Sequence, residues 1–473
     1  MVFSSIEFLF YFLPIALIGY FLVPRLLKNL WLLLVSLVFY IWGVGAFVFV
    51  LLGSIAVNYA LGLIADRARE AGKAARVTAA VAATVVINLA LLGWFKYANF
   101  GVDQVNALLG AVGQAGLDWT DVALPIGISF FTFQSMSYVF DVAAGRARAM
   151  PDPIAYAAYI VMFPQLVAGP IVRYAGVAEA LAYRKTTALA AASGARRFAL
   201  GLIKIVVVAD TVGQVADACF AAPANELTAP ISWLGVAAYT LQIYFDFSGY
   251  SDMAVGLGRI LGFDFPENFN RPYSAISVTD FWRRWHMSLS SWFRDYVYIP
   301  LGGNRGGSAR TYANLWIVFL LTGLWHGANW TFIVWGVWHG ALLVLERGLG
   351  LQTASGLWVW PRRALTLVLV MAGWVVFRAP DLGYAAEFYA AMVRFDGGLS
   401  PEVTATLSRK AVLVLALGSL IVLAPPSWTA RGFMDRTDGW GFAARWTVLG
   451  LGLPYAMMLV VSGAFTAFLY FQF

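Results

Sequence analysis

From Tyr312 to Leu345 the chain runs without a single Asp, Glu, Lys or Arg. As one helix this stretch would be about 50 Å long at 1.5 Å per residue, against roughly 30 Å of bilayer hydrocarbon. It must therefore break. The break belongs at Trp325-His326-Gly327-Ala328-Asn329, where Gly327 loosens the backbone and Asn329 can cap a second helix. With only about fourteen residues, or roughly 21 Å, the first helix is expected to end short of the far membrane surface. His326 then lies between two short helices at membrane depth, where a polar residue is functional by default. An imidazole in a water-poor cavity suits proton transfer. The competing reading is a histidine that only hydrogen-bonds a neighbouring helix.

Hydrophobic residues make up 61% of the chain and charged ones 12%, half the charged share of a soluble domain. The apolar runs are long and unbroken rather than short and alternating, which predicts helices and excludes a barrel. An all-α polytopic membrane protein of roughly ten to twelve spans is expected, with residues 1–473 as one domain. The net charge of +7 sits in short loops between apolar segments, which speaks for topology and against nucleic acid. A lone Cys219 excludes an internal disulfide and a zinc cluster, and three histidines leave little for any metal site. The first 22 residues lack a basic start and a small-residue cleavage site, so they are expected to be a retained span and not a signal peptide.

Basic loops predict the orientation. Arg25 and Lys28, then Arg67, Arg69, Lys73 and Arg76, are expected in the cytoplasm, which makes Asn29 to Asp66 a hairpin turning near Trp42-Gly43 and the N-terminus periplasmic. Tyr97 to Val122 holds Asp103, Asp118 and Asp121 but no Lys or Arg, as an outer loop should. A full span at Ile154 to Ile171 would then put Arg173, Arg184, Lys185, Arg196 and Arg197 outside. A re-entrant segment, interrupted at Phe163-Pro164-Gln165 and Ala168-Gly169-Pro170 and walling a cavity, resolves the conflict. The arginine-dense stretch from Gly262 to Arg310 is expected to be amphipathic and cytoplasmic rather than spanning.

Three further constellations could carry chemistry. From Thr279 to Tyr296, Phe281, Trp282, Trp285, Leu289, Trp292 and Phe293 recur near helical spacing, with His286 among them, and Thr279 as the N-cap. This reads either as a bland interfacial helix or as an arginine-rich surface for an anionic cofactor. Leu301-Gly-Gly-Asn304-Arg305-Gly-Gly307 offers backbone amides and Arg305 to a phosphate, or is a flexible turn. In the apolar stretch after Ile231, Asp246, Ser248, Tyr250 and Asp252 need partners. They could orient an imidazole, line a tunnel or bind helix to helix. His339 is expected to be structural. No GxSxG elbow, HExxH, P-loop or dinucleotide fingerprint occurs.

Taken together, Phe-Asp246-Phe-Ser-Gly-Tyr-Ser-Asp252-Met-Ala, Arg-Arg-Trp-His286-Met-Ser-Leu-Ser, Pro300-Leu-Gly-Gly-Asn-Arg-Gly-Gly and Leu-Trp-His326-Gly-Ala-Asn-Trp resemble the membrane-bound O-acyltransferase family. The similarity is greatest to its bacterial alginate O-acetyltransferase branch, and extends to the opening Met1-Val-Phe-Ser-Ser and the closing Phe468-Leu-Tyr-Phe-Gln-Phe473. The resemblance implies helices around a tunnel, with an inner mouth for the acyl donor and an outer funnel for the acceptor. It implies that His326 is the catalytic histidine and His286 the second one. It further implies acetyl-CoA as donor substrate with no permanently bound cofactor, a periplasmic SGNH-type acetyltransferase as partner, and an exopolysaccharide as final acceptor. Similar proteins acetylate peptidoglycan or cellulose, and a more distant relative transfers D-alanine to teichoic acid.

The chain is therefore expected to be a multi-pass acetyltransferase of the bacterial inner membrane, surrounded by lipid. His326 would be the base, Arg283, Arg284, Asn304 and Arg305 would hold the donor, and Trp325, Asn329 or backbone amides at the break would steady the oxyanion. Two rivals from other classes are a transporter and a scaffold for polysaccharide export. A transporter predicts internal repeats, and none is visible.

Overall fold

The computed structural model describes residues 2–424 and 439–463, and among them every regular element is a helix. The closing motif from Phe468 lies outside the described residues. Two compact units result, one of Met1–Ala192 with Leu257–Pro266, the other of Ser193–Gly256 with Glu267–Phe473.

The first unit holds α1 (Leu13–Leu22), α2 (Lys28–Val44), α3 (Val48–Glu70), α4 (Ala74–Ala111), α5 (Ile128–Ala143), α6 (Pro153–Val161), α7 (Phe163–Leu166) and α8 (Tyr174–Ala182). The break between α2 and α3 falls at Gly45, whose φ of 56° suits glycine, close to the expected turn. Asn58 of α3 and Asn88 of α4 donate to each other's Oδ1 at 3.3 and 2.8 Å, so each buried amide finds a partner.

The expected outer loop starting at Tyr97 is half helix, because α4 continues to Ala111. Absence of basic residues reports sidedness and says nothing about helicity. Only residues 112–127 are irregular or turned, and Asn99 of α4 ties them back through the N–H and carbonyl of Val122.

The predicted interruption near Pro164 is present. α6 has nine residues, about 13 Å, too short to cross a membrane. It ends at Met162 with ψ 114°, and every residue from 158 to 172 is buried. Ser36 accepts the Phe163 N–H at 3.1 Å, and Gln165 and Tyr159 donate to the carbonyls of Tyr159 and Val172. Side chains thus satisfy the backbone that the break leaves open.

The second unit contains α9 (Ala188–Ile203), from residue 193 on, then α10 (Asp210–Phe220), α11 (Ala229–Leu261), as far as residue 256, α12 (Val278–Trp282), α13 (Met287–Phe293), α14 (Gly307–His326), α15 (Trp330–Gly348), α16 (Val359–Arg378), α17 (Leu382–Ala391), α18 (Pro401–Thr406), α19 (Arg409–Leu423) and α20 (Gly439–Val461). Among the described residues five helical stretches are long and apolar enough to cross a membrane: Arg25–Glu70, Ala74–Ala111, Ala188–Phe220, Gly356–Arg378 and Gly441–Val461. The more polar α11, α14 and α15 have 33, 20 and 19 residues.

Two expectations fail here. α14 begins at Gly307, not near Tyr312, and its 20 residues give about 30 Å, a full hydrocarbon thickness. Ser308 to Thr311 continue the helix because a charge does not end one; Gly307, with φ 82°, marks the start. Nor is the Thr279 to Tyr296 segment one interfacial helix. It splits into α12 and α13 around His286, whose φ of 43° is rare for a non-glycine. Ser277, not Thr279, caps α12, while Thr279 donates its hydroxyl and amide hydrogens to Glu346 at 2.9 Å. Phe281, Trp282, Trp285, His286, Leu289 and Trp292 are all buried.

α9 and α11 are joined by a buried ion network. Arg197 donates to one oxygen of Asp252 at 2.9 and 2.7 Å and to Glu267 at 2.5 Å, and Lys204 donates to the other Asp252 oxygen at 2.6 Å. Glycines let the backbones approach: a Cβ on Gly201 would lie 2.4 Å from the Gly249 carbonyl oxygen.

Candidate active site

α14 and α15 form an antiparallel pair whose crossing needs Gly323 and Gly336, since a Cβ on either would come within 2.5 Å of a carbonyl oxygen of the other helix. α14 ends at His326, as the sequence predicts. Gly327 is extended, a conformation open to any residue, but a Cβ there would lie 2.2 Å from the Phe332 ring. Asn329 then caps α15, its Oδ1 accepting the Thr331 N–H at 2.9 Å. The cap and the glycine hold His326 at a fixed turn.

The three histidines of the chain, far apart in sequence, meet in one buried aromatic cluster. His326 contacts Trp325 at 5.0 Å between ring centroids, Trp335 at 4.9 Å and Phe377 at 5.2 Å. On one side Trp325 reaches His286 at 5.9 Å, and Phe247 of α11 covers His286 edge-on at 4.7 Å. On the other, Trp335 reaches His339 at 5.0 Å. Trp282 donates its indole N–H to Nδ1 of His339 at 3.3 Å, which leaves that imidazole protonated on Nε2.

His286 has a polar seat within this apolar surround. Its Nδ1 lies 3.1 Å from Oδ1 of Asn268, which also accepts the Ser288 N–H at 3.2 Å and the Ser288 hydroxyl at 2.8 Å. Asn268 donates in turn to Ser251 of α11 at 3.1 Å. Among the described residues Nε2 of His286 is buried and has no hydrogen-bond partner. The segment is too short to span, and burial holds this imidazole well below its usual range, hence neutral.

The residues expected to share the site separate into two groups. His326, Trp325 and His286 come together. Arg283, Asn304 and Arg305 are exposed, unlike the histidines, and Arg284 pairs with Asp280 at 2.8 Å. In the glycine-rich loop the amides of Gly302, Gly303 and Arg305 donate to carbonyls of residues 298–302, so they are not presented to a phosphate. Tyr298 donates to Asn304. Asp252 is committed to the ion network, and Ser248 lies 3.5 Å from Lys204. Asp246 and Tyr250 are buried. Asn329 donates one amide hydrogen to the Pro380 carbonyl at 3.1 Å, so it helps to hold the break. Sequence reasoning missed Asn268, Trp335 and Phe247. The contacts of Asn268 and Phe247 with His286 are non-local, and no spacing announces them, whereas Trp335 lies one helical turn before His339 on α15.

Chemically, the site offers buried imidazoles in an aromatic surround, suited to moving a proton. Among the described residues no group of three His, Cys, Asp or Glu side chains could hold a metal.

The family model described as MBOAT, membrane-bound O-acyltransferase family, matches residues 37–379, which include all three histidines and Asn268. The chain is 44% identical to the "Probable alginate O-acetylase AlgI" of Pseudomonas putida, with both chains covered in full. It is 34% identical to the peptidoglycan O-acetyltransferase of Helicobacter pylori, over 86% of this chain and 84% of that one. Similarity to the teichoic acid D-alanyltransferase of Bacillus subtilis is 30% over 43% of this chain and 53% of the relative.

Proposed function

The chain belongs to the membrane-bound O-acyltransferase family, and from that premise we propose that it moves acetyl groups from cytoplasmic acetyl-CoA to a hydroxyl on the periplasmic side, for O-acetylation of an alginate-type exopolysaccharide. The observation that carries this reading is His326, buried at the turn between α14 and α15 and joined to His286 through Trp325. Acetyl transfer to oxygen needs a base that removes the hydroxyl proton as the oxygen attacks the thioester carbonyl. His326 takes that proton. The tetrahedral oxyanion collapses, the C–S bond breaks, and the CoA thiolate recovers the proton from the His326 imidazolium. Atoms and charge balance without a metal or a stable acyl-enzyme.

The donor is held by the exposed guanidinium groups of Arg283 and Arg305, where its phosphates meet water rather than aromatic rings. The acceptor is a serine of an SGNH-type partner or the glycan itself. Identity of 44% to an alginate O-acetylase favours alginate over peptidoglycan, for which the corresponding identity is 34%.

Purified protein in lipid nanodiscs, supplied with acetyl-CoA and an alginate oligosaccharide or its partner, is expected to release free CoA thiol and acetylated acceptor. Release of neither, from well-folded protein with every acceptor offered, would leave the transporter and scaffold readings standing.

A further inference from the structure

We infer that Asn268 is a positioning residue of acyl transfer, which locks His286 as its Nδ1–H tautomer and so leaves the buried Nε2 lone pair to accept a hydrogen bond from a substrate O–H or S–H. The inference rests on the proposed active site for its consequence, but its geometry stands alone. A backbone N–H can only donate, and the Ser288 N–H lies 3.2 Å from the Asn268 side chain. The atom there must be the amide oxygen, since a flipped amide would set N–H against N–H. That same oxygen is 3.1 Å from Nδ1 of His286, so Nδ1 must carry the hydrogen. The amide's other end donates to Ser251 at 3.1 Å, which holds the side chain from α11. In a neutral imidazole with hydrogen on Nδ1, Nε2 is the acceptor. Among the described residues nothing in the protein fills that acceptor. A buried, unfilled acceptor costs stability, and a substrate hydrogen would complete it. His339, by contrast, accepts from Trp282 at Nδ1 and is the Nε2–H tautomer. His286 and His339 therefore carry their hydrogens on opposite nitrogens.

Three histidines make this readable by NMR. In full-length protein labelled with 15N-histidine, with signals assigned by His286→Gln and His339→Gln, His286 is expected to show hydrogen on Nδ1 and His339 on Nε2. A wild-type His286 protonated on Nε2 overturns the inference. Asn268→Ala should destroy the single tautomer and lower acetyl transfer by roughly 10- to 100-fold, the range for losing a group that orients a histidine. Ser288→Ala should keep the tautomer, because the Ser288 N–H still orients the amide. An Asn268→Ala protein that retains only the Nδ1–H form, or a Ser288→Ala protein that loses it while the His339 signal is unchanged, would count against Asn268. The His339 signal, held by Trp282, reports whether each variant is folded. The two readings fail separately: correct tautomers with no CoA release sink the acetyltransferase reading, and CoA release with the wrong tautomer sinks this one.

Discussion

Asn329 is used twice at the turn between α14 and α15, once to cap α15 and once to hold the Pro380 carbonyl. Both uses fix the turn that follows His326. Replacing His326 with alanine is expected to leave insertion intact and to slow the chemical step by roughly two to four orders of magnitude, the usual contribution of a general base. Single-turnover release of CoA measures it, and near-normal release would remove His326 from the mechanism. His286 and Arg305 separate differently. Arg305 is exposed, so Arg305→Ala should weaken CoA binding roughly two- to five-fold, the scale of an exposed charge contact. His286 is buried, so His286→Ala should leave CoA binding near wild type and lower turnover. Titration of CoA by calorimetry tests both, and a large affinity loss in His286→Ala alone would place the donor deeper. His326 was legible from sequence because an imidazole in an uncharged run has to be explained. Asn268 was not, because its meaning lies in one oxygen facing Nδ1 of His286 and the Ser288 N–H across 18 and 20 residues.

At the scale of elements, the break after α14 and the interruption at Met162 were both readable, since Gly, Pro and Asn act on their own backbone. The split between α12 and α13 was not. It depends on a non-glycine with φ 43° that tertiary bonds to Asn268 enforce, and local spacing there still reads as one helix. The ion network between α9 and α11 belongs to the same class, because the sequence around Asp252 fits a tunnel lining equally well and its partners Arg197 and Lys204 lie 55 and 48 residues away. Removing Arg197 takes away one of the two cations on Asp252 and leaves Lys204 on it, so Arg197→Ala is expected to destabilise the protein by about 1.5–3 kcal/mol, the scale of a hydrogen bond to a charged group. Asp252→Asn should do nearly the same. The pair together should cost less than the sum, since they act through one interaction. Thermal unfolding in detergent of the two single variants and the double variant checks this, and full additivity would show that the network is not a unit.

For the whole molecule, charge placement predicts which side of the membrane each stretch meets. Residues 97–122 carry three aspartates and no basic residue, which predicts an outer position whether or not the first part is helical, while arginines crowd residues 262–310, which predicts a cytoplasmic position for that stretch. Asp118 and Ser308 are both exposed, and Cys219 is fully buried, so a Cys219→Ser background should be tolerated and silent. A cysteine at position 118 should react with a membrane-impermeant maleimide from the periplasm, and one at position 308 only after the inner face is opened. The direction of chemistry depends on the second result. The Arg305 loop precedes α14, and α14 leads the chain directly to His326. If position 308 labels from the cytoplasm, the exposed arginines can meet acetyl-CoA where it is made, and the acetyl group must travel outward past His326. Labelling of position 308 from outside would put those arginines beyond the reach of cytoplasmic CoA. His326 could still serve as the base, but the donor would have to enter by another face, and outward transfer from acetyl-CoA would have to be given up.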